Sequence, residues 1–270
     1  MKSMSLKTLI ELKKLNLAMI ELLSIDLSNF CSKECNFCYN HSNMEGNVEW
    51  TPDEIIEFAS DCIANGVKAI SLGGGEPFEY DGVFEIIAKL QKLAYLSLTT
   101  NGLPLEDSNV WSQLIQHTPD KIHITIHHPN ETQEVKRVKR QIRKLAATSI
   151  KPGVNLLVAK DTIEYCRDVY HQLLDDLSPS QIILVPHRYS NTPTPKQIAY
   201  VADSKHFQSA SCLLGCEPPT NFVSVSWDKK VNRCSYAGGK QPLEALSYQG
   251  VINALNKVVF QSCMRFQSSD

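Results

Sequence analysis

Short apolar runs rich in Ile, Val and Leu alternate along the chain with longer stretches whose apolar positions recur every three or four residues. The short runs, at 23–27, 69–72, 95–99, 122–126, 154–158 and 182–185, read as buried strands. Between them, Thr51-Pro52-Asp53-Glu54 opens a helix with an N-cap threonine, a proline at the first helical position and a glutamate at the third, a capping box. Further helices are expected over about 80–93, 132–147 and 161–175, and residues 7–23 carry a mixed, charged helical pattern. Six strands alternating with helices predict repeated βα units and a parallel sheet. After about residue 190 this rhythm stops, and Ser190-Asn191-Thr192-Pro193-Thr194-Pro195 reads as a linker or covering loop with two proline breaks. Beyond it, Phe222 to Trp227, the polar Asp228-Lys229-Lys230 and then Val231 predict a strand, a turn and a returning strand.

Composition narrows the class. With 270 residues, 43% of them hydrophobic, the chain can bury one large core and a small appendage, divided here as 1–190 and 191–270. A net charge of -2 gives no general attraction to polyanions, so neither nucleic acid nor an anionic membrane is an expected partner. No stretch approaches the roughly 18 apolar residues of a membrane span, and the N-terminal pattern lacks the apolar core of a signal peptide.

Cysteine placement carries the chemistry. Cys31, Cys35 and Cys38 lie in one loop, spaced C-x3-C-x2-C, directly after the first strand. Three thiolates so spaced can hold a cubane iron–sulfur cluster by three of its four irons, leaving the fourth open. A zinc site is the alternative, and it would need a fourth nitrogen or sulfur ligand, for which His41 is the loop's candidate. At the end of the second strand, Ser71-Leu72-Gly73-Gly74-Gly75-Glu76-Pro77 offers glycines that let backbone approach a ligand closely, and a carboxylate suited to an ammonium group. An ordinary strand-to-helix turn is the other reading.

Together the two segments resemble the radical SAM superfamily. Phe37 and Tyr39 flank Cys38, so every position of the superfamily's CxxxCxΦC signature is filled, and GGEP (Gly74, Gly75, Glu76, Pro77) resembles its second motif, which binds the methionyl amino group. The resemblance implies an α/β fold, a partial (β/α)6 TIM-type barrel with its chemistry at the carboxyl ends of the strands. It implies S-adenosylmethionine (SAM) chelated at the open iron of a [4Fe-4S] cluster held by Cys31, Cys35 and Cys38, a 5′-deoxyadenosyl radical, and hydrogen abstraction from a substrate. An electron donor such as flavodoxin or ferredoxin is implied too. Thr99 and Asn101, in a TNG-like segment ending the third strand, Thr125 on the fourth and Asn155 on the fifth match positions that contact SAM in relatives. An oxygen-sensitive cluster points to a reducing compartment, so a cytoplasmic location is expected.

A second set, Cys212, Cys216, Cys234 and Cys263, surrounds the predicted hairpin and is similar to the SPASM and Twitch extensions, pattern C-x9-15-G-x4-C, that bind an auxiliary [4Fe-4S] cluster. Lys229 stands where that pattern has glycine, and the seven-cysteine array of a full SPASM domain is absent, so a Twitch-like extension is the expectation. A zinc knuckle or free buried thiols are the alternatives. Cys62 and Cys166, in helical patterns among apolar neighbours, read as core residues. His127, His128 and His187 fall at strand ends, where they either face substrate or are satisfied by backbone partners. Lys136, Arg137, Lys139, Arg140, Arg143 and Lys144 share one helix, either as a solvated face or as a dock for an acidic leader peptide. The extension implies a maturase that crosslinks, epimerises or excises backbone from a ribosomally made peptide; the alternative is radical oxidation or rearrangement of a small molecule such as an aminoglycoside or nucleotide precursor. Only about 22 residues precede the first strand, fewer than the roughly 80-residue leader-binding domain of many such maturases, which keeps both open.

Overall fold

The computed structural model describes residues 19–204, 211–217 and 219–263. The helical pattern expected over 7–23 therefore lies outside the described residues up to 18, and its last two residues enter the first strand.

Six parallel strands form as the apolar runs require: β1 (Leu22–Asp26), β2 (Ala69–Gly73), β3 (Tyr95–Thr100), β4 (Lys121–Ile126), β5 (Lys151–Val158) and β6 (Ile182–Pro186). Each is followed by a helix: α1 (Pro52–Ala64), α2 (Val83–Leu90), α3 (Ser108–Gln116), α4 (Thr132–Ala146), α5 (Ile163–Leu173) and α6 (Pro195–Val201). The capping box of α1 is present, with Thr51 Oγ1 accepting from Glu54 N at 3.3 Å and Glu54 Oε2 accepting from Thr51 N at 2.9 Å. Helix α3 was not legible in the apolar pattern, because its sequence SNVWSQLIQ buries only Leu114; Asp107 caps it by accepting from Asn109 N and Val110 N. Helix α6 corrects the reading of 190–195 as a loop with two proline breaks. Pro195 instead opens a helix capped by a Thr194–Gln197 box, which carries the βα rhythm to Val201. The preceding segment is pinned to the β5–α5 turn, where Asn191 accepts from Lys160 N at 2.9 Å and donates to Asp161 at 2.9 Å.

Alternation along the parallel strands sorts the two faces of the sheet. Leu23, Ile25, Ile70, Leu72, Leu96, Leu98, Ile122 and Ile124 are buried in the core under the helices. Ser24, Asp26, Ser71, Thr99, Thr125 and Asn155 face the other way and line a cavity. The sheet is mostly parallel and open, as in a partial barrel, with these six strands in the order β6-β5-β4-β3-β2-β1.

The carboxyl-terminal hairpin is part of this sheet. Strand β7 (Phe222–Val225) pairs parallel with β1, Leu22 opposite Phe222 and Ile25 opposite Val225, and β8 (Lys230–Asn232) returns antiparallel, followed by β9 (Gln241–Pro242). Two further helices, α7 (Ser211–Leu214) and α8 (Tyr248–Leu255), flank these strands. Lys229 sits at the hairpin turn with φ +54, the left-handed conformation that glycine adopts most readily. Its ammonium pairs with Glu54 at 2.8 Å and lies 5.0 Å over the Trp50 ring. Cys62 and Cys166 are core residues, and burial pushes the Cys62 thiol up to about 12.

Candidate active site

The cysteine loop leaves β1 at the carboxyl end of the sheet and is folded by its own backbone bonds. Cys38 N donates to Cys35 O at 3.0 Å and Cys31 N to Asn43 O at 3.0 Å, while Glu34 takes a left-handed φ of +47 between the first two cysteines. Cys31, Cys35 and Cys38 line one wall of a cavity of about 310 Å³. Burial pushes the Cys35 thiol up to about 11 and raises Cys31. Bare, the Cys31 and Cys35 thiols would therefore stay protonated at neutral pH, and they become thiolates against a bound metal centre. Asn101 Nδ2 donates toward Cys31 Sγ at 3.6 Å, a bond suited to a thiolate. His41, the fourth ligand the loop offers a zinc ion, is exposed and outside the cavity lining. The donor set fits a cubane cluster.

The glycine segment is set against this loop. Gly75 N donates to Ser28 O at 2.7 Å and Glu76 N to Phe30 O at 2.9 Å. A Cβ at Gly75 would overlap the Phe30 carbonyl, and one at Gly74, whose φ is +111, would meet Leu27 N and Ser28 O. The closest approach these glycines permit is thus to the cysteine loop's own backbone. Gly73, Gly74 and Gly75 also line the cavity. Glu76 does not: it is 1% exposed, and its carboxylate accepts from Thr100 Oγ1 at 2.6 Å, Asn101 N at 2.7 Å and Phe78 N at 3.2 Å. Burial raises its pKa to about 7. The expected ammonium-binding carboxylate is thereby committed to holding the end of β3 against β2, and Pro77 beside it starts a buried 3-10 turn, Pro77–Glu79, away from the lining.

Phe37, Tyr39, Thr99, Asn101, Thr125 and Asn155 all line the cavity, with Thr125 and Asn155 opposite each other in register. The His123 ring, which burial holds down to about 4 and hence neutral, donates from Nδ1 to Asn155 Oδ1 at 2.8 Å and fixes that amide. Phe37 lies among three histidine rings: His127 at 6.1 Å, His128 at 5.6 Å and His187 at 5.4 Å between centroids. His187 donates to the Arg188 carbonyl at 2.6 Å. Burial lowers the pKa of His127, whose backbone N–H donates to Glu134 at 2.8 Å. Glu134, on α4, also pairs with Lys33 of the cysteine loop at 3.1 Å. Burial opposes its charge, yet these bonds and the Lys33 ammonium hold its carboxyl down to about 2.

Asp26, at the end of β1, carries the cavity's most exceptional carboxylate. It is 1% exposed, its Oδ1 accepts from Tyr39 OH at 3.4 Å, and its Oδ2 is buried with no hydrogen-bond partner. Burial raises its pKa to about 6. An unpaired buried carboxylate oxygen on a cavity wall is costly and calls for a donor from a ligand. Sequence reasoning missed Asp26, Lys33, Thr100, His123 and Glu134. Alternation marked Asp26 as facing opposite to Ile25, and that was the available signal.

Of the second cysteine set, Cys263 lines the same cavity, together with Arg188, Ser235 and Tyr236. Burial raises the Cys234 and Cys263 thiols, each of which also feels Cys216, and Arg188 Nη2 donates to Cys212 Sγ at 3.6 Å. An antiparallel bridge between Gly238 and Gln261 ties the Cys234 loop to the segment bearing Cys263. The Tyr39 and Tyr236 rings, each beside a cysteine loop, meet at 4.6 Å.

Comparison with known proteins agrees with this geometry. Residues 25–173 match the radical SAM superfamily. A protein of Methanocaldococcus jannaschii described as a probable GTP 3',8-cyclase is 28% identical over 204 residues, 68% of each chain. The GTP 3',8-cyclase of Clostridium perfringens strain 13 is 26% identical over 156 residues, 53% of this chain and 48% of that one. Among solved structures, Streptococcus suis SuiB bound to S-adenosylmethionine superposes with a TM-score of 0.65 at 16% identity, covering 84% of this chain and 63% of SuiB. The enzyme anSMEcpe, with bound AdoMet and the Cp18Cys peptide, superposes at 0.60 with 15% identity, covering 87% and 81%.

Proposed function

The chain belongs to the radical SAM superfamily, and we propose that within it this enzyme abstracts hydrogen from a ribosomally synthesised peptide, leading to a crosslink, an epimerised residue or backbone excision. As a superfamily member it uses SAM and a [4Fe-4S] cluster, for which Cys31, Cys35 and Cys38 are the ligands assigned. When bound, the cluster supplies the electron that splits the SAM sulfonium to a 5′-deoxyadenosyl radical, the species that removes the hydrogen atom.

The chain's own residues do the rest. With Glu76 committed to the β2–β3 seam, the backbone along Gly73 to Gly75 is what faces a ligand ammonium. The Thr99 and Thr125 hydroxyls, the Asn155 amide held by His123 and the Asn101 side chain supply polar contacts, while Phe37 closes one wall with its histidine neighbours. Asp26 receives a donor from whatever fills the cavity floor. Cys212, Cys216, Cys234 and Cys263 hold an auxiliary cluster in a Twitch-like extension. We take the core as 1–190 and the extension as 191–270.

The observation that carries this reading is that Cys263 of the second set lines the same cavity as Cys31, Cys35 and Cys38. A peptide substrate is supported by the superposition on SuiB, solved with its precursor peptide SuiA, and on peptide-bound anSMEcpe, whose matches span most of this chain. The second reading, a nucleotide-sized substrate, is favoured by the sequence relatives described as GTP 3',8-cyclases. Among the described residues no helix is long and apolar enough to cross a membrane, and a cytoplasmic enzyme reduced by flavodoxin or ferredoxin is the setting proposed. The test is anaerobic reconstitution with SAM and reductant, followed by mass spectrometry of candidate peptides and of nucleotides. A hydrogen-loss or rearranged product on a peptide supports the first reading; turnover confined to a nucleotide replaces it with the second.

A further inference from the structure

Arg188 follows β6 and is half-buried on the cavity lining, beside Cys212 and Cys263 of the second cysteine set. Its Nη1 donates to the Pro186 carbonyl at 2.5 Å and its Nη2 to Cys212 Sγ at 3.6 Å, and it also hydrogen-bonds Cys263. The guanidinium stacks 4.8 Å over the Tyr236 ring. Its Nε is buried and has no hydrogen-bond partner. Around it stand the Cys212 and Cys263 sulfurs and the Tyr236 ring, and among the described residues no Asp or Glu forms an ion pair with it. A cation partly withdrawn from water, with one donor left unpaired, is costly without an anion. By contrast, the half-buried Lys33 and Lys229 pair with carboxylates, Glu134 and Glu54. For Arg188 the anions at hand are cysteine sulfurs.

We propose that Arg188 compensates the charge of the second cysteine set, its guanidinium donating to the Cys212 and Cys263 sulfurs of an iron–sulfur cluster and raising that cluster's reduction potential. This rests on the auxiliary-cluster reading above. A four-thiolate cubane is an anion that gains further negative charge on reduction, so a fixed cation and N–H···S bonds favour the reduced form. Because Arg188 and Cys263 both line the substrate cavity, the potential is set at the point where cluster and cavity meet.

The test isolates the second site in the full chain. With Cys31, Cys35 and Cys38 all replaced by alanine, reconstituted protein should retain about four irons, those of one cubane. In that background the midpoint of the remaining cluster is read by potentiometric titration with EPR detection, with Arg188 intact and as Arg188→Met and Arg188→Lys. Arg188→Met should keep the iron and disfavour reduction at least tenfold, ~59 mV for one electron; Arg188→Lys, which keeps the charge but loses the fork, should shift less. Loss of iron from Arg188→Met with retention in Arg188→Lys also supports a requirement for the charge. An unchanged midpoint at full iron overturns the proposal while leaving the auxiliary cluster in place. Loss of iron from both variants makes Arg188 a structural prop and overturns it equally. A background protein without iron removes the auxiliary cluster itself, and Arg188 with it.

Discussion

At the scale of single residues, the site is held by contacts that leave little tolerance. Gly75 packs where no side chain fits, its would-be Cβ inside the Phe30 carbonyl. Gly75→Ala should therefore cost about 2–3 kcal/mol and, by prising the two loops apart, lower the iron retained on Cys31, Cys35 and Cys38; equal thermal midpoint and iron content would show that the loops are not locked together. Asp26 offers a pH signature. Its pKa is raised from 3.8 to about 6, so the fold prefers the protonated carboxyl, and the stability this provides is full below pH ~4 and lost as pH climbs through 6. Relative to Asp26→Asn, the cofactor-free wild type should lose up to about 3 kcal/mol between pH 4 and 8, measured by urea unfolding at both ends. A pH-independent difference would mean that Asp26 has a partner in solution. The cysteines, the glycines and the strand-end polar residues were legible in the sequence because their spacing is local. The commitment of Glu76 to Thr100 and Asn101, and of Lys33 to Glu134 across 101 residues, was not, because neither pairing leaves a periodic trace.

At the scale of elements, the basic helix shows how a charge run is resolved by packing. Arg137 donates to the Asn101 carbonyl at 3.1 Å, Lys139 to the Gln172 carbonyl at 2.6 Å, Arg140 pairs with Glu106, Arg143 bridges Asp176 at 2.7 and 3.0 Å, and Lys144 lies 3.6 Å over Trp111. The face fastens α4 to its neighbours, and only Lys136 has no such partner among the described residues, which leaves little charge for docking a leader peptide. The hairpin turn poses a sharper question. A left-handed Lys229 costs about 1–2 kcal/mol, offset by a half-exposed ion pair and a ring contact worth about 1 kcal/mol together. Lys229→Gly should then be neutral within about 1 kcal/mol, whereas Lys229→Ala, which keeps the strain and loses both contacts, should be destabilised by at least about 1 kcal/mol more. Equal thermal shifts for the two variants would refute the left-handed turn. The strands and four of the helices could be read from period and caps; α3 and α6 could not, one being too polar and the other opening on a proline that looked like a break.

At the scale of the whole molecule, the sheet joins what the sequence suggested were a core and an appendage. Because β7 pairs with β1, the strand that delivers the first cysteine loop also anchors the segment that carries the second set. No local pattern encodes that parallel pairing across about 200 residues, although the hairpin itself was legible. The consequence is one cavity with thiols on two walls, and the account stands on that cavity being a SAM-cleaving site. The direct measurement is 5′-deoxyadenosine formation by anaerobically reconstituted protein given SAM and dithionite, with iron counted in the same samples. The wild type should hold about eight irons, two cubanes, and form 5′-deoxyadenosine; the Cys31, Cys35 and Cys38 triple alanine variant should keep about half the iron and form none. Cleavage that persists in the triple variant, or a fully loaded wild type that leaves SAM intact, would contradict the account.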